Sequence, residues 1–317
     1  MQGTFSVAEY SQRLWFGQNM YEGLVSLGVV PSNLPEFTRE PFGVDQNQNK
    51  YLNVISRLPV GNDKRTIPVA TVSNRYALIQ HKEVLSWLSE GLKAVNYFSD
   101  DIIVEMMMSE YGERLHLAVA IPEIEFDPGD GFPLRLVIEA RNSVDRSCAF
   151  EVRLRWRRLV CLNGMWVQEE DILRKIHNVD WMNRKNVAAF IDERVGEISG
   201  YKQMLDTWLH KQVSQTEIEK WADEHLAKSW GVHMAARLCH IARSGYDGVV
   251  GRAKVKTPAS QYFVSSDKQV PGACAPVKNL YHLSQALTWL AGDRGSVEDS
   301  DIKSADIPKL LKHFLKK

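Results

Sequence analysis

No apolar run in this sequence approaches the roughly 18 residues that cross a bilayer, so no membrane segment is expected. Cysteine is scarce. The four (Cys148, Cys161, Cys239, Cys274) stand far apart and form no CxxC pair, which argues against a zinc knuckle or a dithiol redox motif. The expectation is reduced thiols in a cytoplasmic protein. Net charge is absent too: 39 basic residues meet 39 acidic ones. Proteins that coat nucleic acid without sequence preference are usually basic overall, so any such binding here must come from local patches. There is no GxGxxG, no GxxxxGK[ST] and no GxSxG, so neither a nucleotide cofactor nor a serine nucleophile has local support. The opening MQGTFSVAEYSQRLWF has no charged region followed by an apolar one, and no signal peptide is expected.

What is present is ordinary globular material: 317 residues, 44% hydrophobic and 25% charged. The pattern predicts four segments. Residues 1–60 read as an N-terminal arm, with a helix around Ala8–Leu27 and a polar stretch rich in Asn, Gln and Pro. Residues 61–167 read as an α+β core. One helix, HKEVLSWLSEGLKAV, spaces Val84, Leu85, Leu88, Leu92 and Val95 along one face, and successive strand candidates with short turns imply an antiparallel meander. Residues 168–292 read as a helical part, with one long helix over 181–211 and a basic loop at 246–278. Residues 293–317 read as a flexible acidic link and a short amphipathic helix. The fold class predicted is α+β: an antiparallel β-meander packed by helices, then a mainly helical C-terminal part.

The strand CAFEVRLRWRRLVCL carries the chemistry. Arg153, Arg155 and Arg157 alternate with Val152, Leu154 and Trp156, so a side-chain period of two sets a cationic stripe against an apolar face. Residues 135–158 hold seven arginines against three acids, a net of +4, and residues 252–278 also reach +4. A guanidinium fork pairs with phosphate and stacks on bases, and Trp156, Trp166 and Trp181 lie near enough in sequence to offer stacking platforms. The stripe admits a structural reading as well, as cross-strand ion pairs to Glu105, Glu123 or Glu125. Catalytic readings are weaker: Glu123 with Glu125 lacks a marked pocket, and His225, His233 and His240 on helices are more ordinary as caps than as metal ligands. No catalytic residue, metal or cofactor is assigned.

Two turns carry a resemblance. Asn142, Ser143, Asp145 and Ser147 form an N-S-x-D-x-S turn, and Arg158, Val160, Cys161, Asn163 and Gly164 end the next strand. With VATVSNRYALIQ before and NLYHLSQALTWL after, this resembles an uncharacterised family of phage- and plasmid-like proteins over roughly residues 65–290. The sequence departs at Arg146, where that family usually has Gly, and at Leu159, where β-branched residues are common. The resemblance implies a mobile-element context and no established activity. A more distant similarity of layout is to single-strand annealing proteins, the RecT- and Red-beta-like phage proteins among them. These hold the phosphate backbone of single-stranded DNA in a positive groove between sheet and helices. That likeness implies single-stranded DNA as the partner and a homo-oligomer, rings included. It also implies phosphate contacts from Arg141, Arg153, Arg155, Arg157, Lys254 and Lys256. The alternative is a non-enzymatic protein-binding factor of a mobile element, an anti-defence or regulatory protein.

Overall fold

The structure, a computed structural model, describes residues 9–15, 18–26, 34–45, 47–97, 99, 102–158, 164–166, 172–175, 177, 184–252, 257–292 and 297–315. The fold is α+β, as the patterning predicts, but most of the described residues among the first 60 are strand. Strands β1 (Glu9–Trp15) and β2 (Gln18–Ser26) pair antiparallel. Strands β3 (Phe37–Val44), β4 (Asn47–Arg57) and β5 (Ile67–Ser73) form a separate three-stranded antiparallel sheet in that order. The helix expected at Ala8–Leu27 is therefore a β-hairpin, and much of the expected arm is strand. Tyr10, Trp15, Tyr21 and Val25 suit strands, and an open neighbouring edge supplies backbone partners that no local pattern reveals. Pro41 is tolerated because β3 is an edge strand.

Helix α1 (His81–Ala94) follows, burying Val84, Leu85, Leu88 and Leu92 as its spacing predicts. Its first turn is fixed twice. The Gln80 backbone N–H donates to the Glu83 carboxylate at 2.7 Å, while the Gln80 amide exchanges two hydrogen bonds with the Phe37 backbone. The meander then runs through β6 (Ile103–Ser109), β7 (Arg114–Phe126), β8 (Leu134–Ser143), β9 (Phe150–Arg158), β10 (Gly164–Trp166) and β11 (Ile172–Lys175). The main sheet has the order β1-β2-β6-β7-β8-β9-β10, with β11 also paired to β9.

The helix expected over 181–211 is two, α2 (Arg184–Gly196) and α3 (Ile198–His210), separated beside Gly196, which weakens a helix interior. A second glycine lies where α1 approaches α2: a Cβ on Gly91 would stand 2.4 Å from the Ile191 Cδ1, so that side-chain end would have to shift. Next come α4 (Gln215–Trp221), a π-helical turn (Ala222–Leu226), α5 (Ala227–Ser229) and α6 (Val232–Ser244). Ser214 and Glu217 form the capping box of α4, and Gly245 ends α6 at φ +77°. Short strands β12 (Tyr246–Asp247) and β13 (Lys268–Gln269) pair, and α7 (Leu280–Ala291) is capped by Asn279 as expected. The last helix, α8 (Val297–Leu315), has 19 residues and begins inside the stretch expected to be a link. No described helix is long and apolar enough to cross a membrane. By internal packing the chain forms two units. One comprises Met1–Ile124, Leu136–Leu154 and Glu170–Glu197; the other Glu125–Arg135, Arg155–Glu169 and Ile198–Lys317.

In the first unit the N-S-x-D-x-S turn is a latch. The Tyr76 hydroxyl donates to the Ser143 carbonyl at 2.8 Å, and the Ser143 hydroxyl bridges the Cys148 backbone N–H and carbonyl. Asp145 accepts from the Arg114 Nε at 2.7 Å and from the Ser147 N–H at 3.0 Å. Asn142 donates to the Ile79 carbonyl and lies 3.1 Å from the His81 Nδ1, while the His81 Nε2 meets the Gly112 carbonyl at 2.6 Å. His81 thus accepts at one nitrogen and donates from the other, which needs the neutral ring. Burial pushes its pKa down to about 4.

Because the folded pKa of His81 lies below its ordinary value, folding stability is full above about pH 6.5 and declines as pH falls toward 4. Between pH 7.5 and 5 the loss from this ring is about 2 kcal/mol, readable from urea midpoints, and the His81→Gln variant flattens that dependence. At Arg146 the backbone has φ +68°, a left-handed conformation that explains why glycine suits the position. Arg146→Gly raises unfolding stability by about 1 kcal/mol in the same assay, and Arg146→Val lowers it.

Candidate nucleic-acid interface

Alternation on β9 comes out as the sequence predicts. Val152, Leu154 and Trp156 are buried on one face, with Phe150 edge-on to Trp87 of α1 at 5.3 Å between ring centroids. Arg153, Arg155 and Arg157 occupy the other face, and that face is covered. Arg153 is 3% exposed and Arg155 9%, while Arg157 is half-buried. Buried guanidinium must meet an anion or lose several kcal/mol of hydration. Arg153 donates to the Glu151 carboxylate at 2.6 Å, two residues along its own strand. Arg155 faces Asp301 of α8 at 3.4 Å. Glu125, a partner considered for the stripe, pairs with Arg135 at 3.2 Å.

Arg141, buried on β8, belongs to a polar cluster of the first unit. His116 on β7 lies 3.4 Å from Glu139 on β8. Burial holds the His116 pKa below its ordinary value; Glu139 pulls it up, and the Arg141 and Arg153 charges push it down. The ring is therefore neutral at pH 7, and guanidinium and carboxylate groups carry the charge of this face.

The second basic segment lies in the other unit and is open. Lys254 and Lys256 fall outside the described residues, but the strand ends that lead to them are described. The Gly251 N–H donates to the Phe263 carbonyl at 2.8 Å, and the Ser265 N–H to the Val249 carbonyl at 3.1 Å. These bonds make a hairpin whose inner residue Val264 is buried and whose outer residues Val249 and Phe263 are 61% and 75% exposed. Phe263 lies across Gly251, where a Cβ would already touch its ring at 3.4 Å. Arg252 is exposed at the start of the undescribed tip. The root is rigid. Asp247 receives the Arg237 guanidinium at 2.8 and 2.5 Å, the Trp289 indole at 2.8 Å and the Gly248 N–H at 2.8 Å. Burial alone would raise the Asp247 pKa, but these donors hold it below the ordinary carboxylate value.

A third arginine site adjoins the hairpin's return. Arg158 is buried, pairs with Asp130, donates to the Gly272 carbonyl at 2.8 Å and lies 5.1 Å from the Phe132 ring centroid. Of the three tryptophans offered as stacking platforms, Trp156 is buried, and the side chains of Trp166 and Trp181 lie outside the described residues. The histidines considered for metal are dispersed: His225 stacks on His313 with centroids 3.9 Å apart, and His240 meets the Ser266 hydroxyl at 3.0 Å. Among the described residues no three metal-ligating side chains come together.

The sequence reading missed Phe263 and Asp301, and counted Arg252 only in the charge of the basic segment. Their signals were faint: an alternation in QYFVSS, a lone arginine before a Lys-x-Lys, and one acid within an acidic stretch. No curated protein and no solved structure matches the chain. A family model does match, over residues 68–243, which takes in nearly all of β5, then α1, the meander from β6 to β11, and the helices almost to the end of α6. On that match, which covers more than half its length, the chain belongs to the family described as a domain of unknown function, DUF932.

Proposed function

We propose that this protein is a non-enzymatic, oligomeric single-stranded DNA-binding protein, of the strand-annealing kind, belonging to a phage- or plasmid-like element. One observation carries the reading: the basic hairpin around Gly251 and Phe263 is rigidly rooted and presents a large aromatic ring to solvent beside exposed Arg252. Single strands are bound by cations that track phosphate and rings on which bases stack, and this hairpin supplies both. Arg252, Lys254 and Lys256 contact phosphate, and Phe263 takes a base, a contact worth about 1–3 kcal/mol. Arg141 and Arg153 in one unit, and Arg155 and Arg157 in the other, are further phosphate contacts; use of Arg153 and Arg155 requires displacement of their in-chain carboxylates Glu151 and Asp301. The zero net charge counts against binding through bulk charge, so the reading rests on local patches.

A protein-binding reading has one observation in its favour. Beyond Leu52, hairpin β3–β4 is an exposed two-stranded finger carrying Phe42, Val44 and Tyr51 on its surface. A finger of neutral charge with three exposed apolar or aromatic side chains suits a protein surface better than phosphate.

The two readings separate by fluorescence anisotropy of a labelled oligothymidine across a salt series. Wild-type protein binds, and log affinity falls with log salt. Arg252→Ala/Lys254→Ala/Lys256→Ala weakens binding and flattens the salt slope by about 2, at about 0.7 per phosphate contact on a single strand. Phe263→Ala weakens binding roughly tenfold without changing that slope. Absence of binding by folded wild-type protein at low salt contradicts the proposal, as do hairpin variants that bind like wild type.

A further inference from the structure

Helix α8 has two halves of different character. Its later half is an anchor: Ile307 and Leu311 are fully buried, Phe314 packs 5.2 Å from the Trp221 ring, and His313 stacks on His225. Its first turns are acidic. Glu298, Asp299 and Asp301 fall within the first five residues, and Asp299 and Ile302 are exposed. Pro308, directly after Ile307, cannot donate to the Ser304 carbonyl and so weakens the helix ahead of its last turns. This helix packs on β10, the short strand whose residues pair with Arg155 and Arg157. The acidic turn brings the Asp301 carboxylate to 3.4 Å from the Arg155 guanidinium.

We propose that the acidic first turn of α8 is a built-in competitor for phosphate. Asp301 occupies the anion site at Arg155 and must leave before a single strand can use that arginine. The inference rests on the single-stranded DNA reading above. Carboxylate and phosphate are alternative partners for one guanidinium fork, so whichever binds excludes the other. The weakened stretch at Pro308 lets the acidic turn come away without unseating Leu311 or Phe314. The arginines stay paired, and hence ordered, while no DNA is bound, and a desolvated charge is never left without an anion. Binding in two stages follows: the open hairpin captures the strand, and the covered stripe engages afterwards.

The test uses full-length protein and labelled oligothymidine. Asp299→Asn/Asp301→Asn binds roughly tenfold more tightly than wild type, within the ordinary range of coupling between competing ligands. Adding Arg155→Ala to that variant abolishes the gain. Glu40→Gln/Asp45→Asn, which removes two exposed charges from the β3–β4 finger, leaves affinity within twofold of wild type, give or take about 0.4 kcal/mol. Should wild type bind while the α8 variant binds no better, or the finger control tighten equally, the masking is overturned and DNA binding stands. Should no form bind, both inferences fall. A measurement without substitutions guards against misfolding: saturating oligothymidine speeds hydrogen exchange of backbone amides in residues 297–303 of wild type. Slower or unchanged exchange there, on protein shown to be bound, overturns the proposal.

Discussion

The organising constraint is that this protein buries arginine. A guanidinium removed from water costs several kcal/mol unless an anion meets it, and breaking such a pair from one side costs more than the pair contributes. Four arginines of the two units show the same solution: Arg114 with Asp145, Arg153 with Glu151, Arg155 with Asp301 and Arg158 with Asp130. Each pair fixes where a strand or turn must lie. The zero net charge of the chain is the bulk expression of this matching. It also explains how a strand with four arginines in nine residues presents so little open cation.

Function then divides between what is covered and what is open. The covered stripe is ordered by carboxylates and is available only by exchange, one anion for another. The hairpin carries the Phe263 ring and Arg252 outward on a base held by Asp247, whose donors come from α6, α7 and the next backbone amide. Rigid root and exposed tip are the arrangement expected where a flexible polymer must be caught before it is held. The latch at Asn142, Ser143 and Asp145 serves the fold: the Asn142 amide nitrogen, the Ser143 hydroxyl and carbonyl and the Asp145 carboxylate are spent on neighbouring groups within the same unit.

Much of this was legible in the sequence because it is local. The face of α1, the β7–β8–β9 meander, the caps at Ser214 and Asn279 and the stop at Gly245 depend on residues a few positions apart. The N-terminal strands were not, because β2 owes its conformation to β6, some eighty residues later, where Leu24 pairs with Glu105. The stripe was half legible. A period of two says which residues share a face, but nothing local says whether that face is covered, and Asp301 arrives from 146 residues away. The turn was legible in composition and opaque in geometry: only the φ of +68° shows why glycine would suit position 146. The hairpin tip was legible as charge alone; the exposed ring beside it required the pairing of Gly251 with Phe263.

The most direct test of the account is photo-crosslinking of full-length protein to a single-stranded oligonucleotide carrying a photoreactive thymine analogue, with the crosslinked peptides mapped by mass spectrometry. The account predicts adducts at Phe263 or elsewhere between Gly248 and Asp267, with adducts on β9 appearing only at saturating DNA. Adducts confined to the β3–β4 finger, or none from protein shown to be folded, would contradict it.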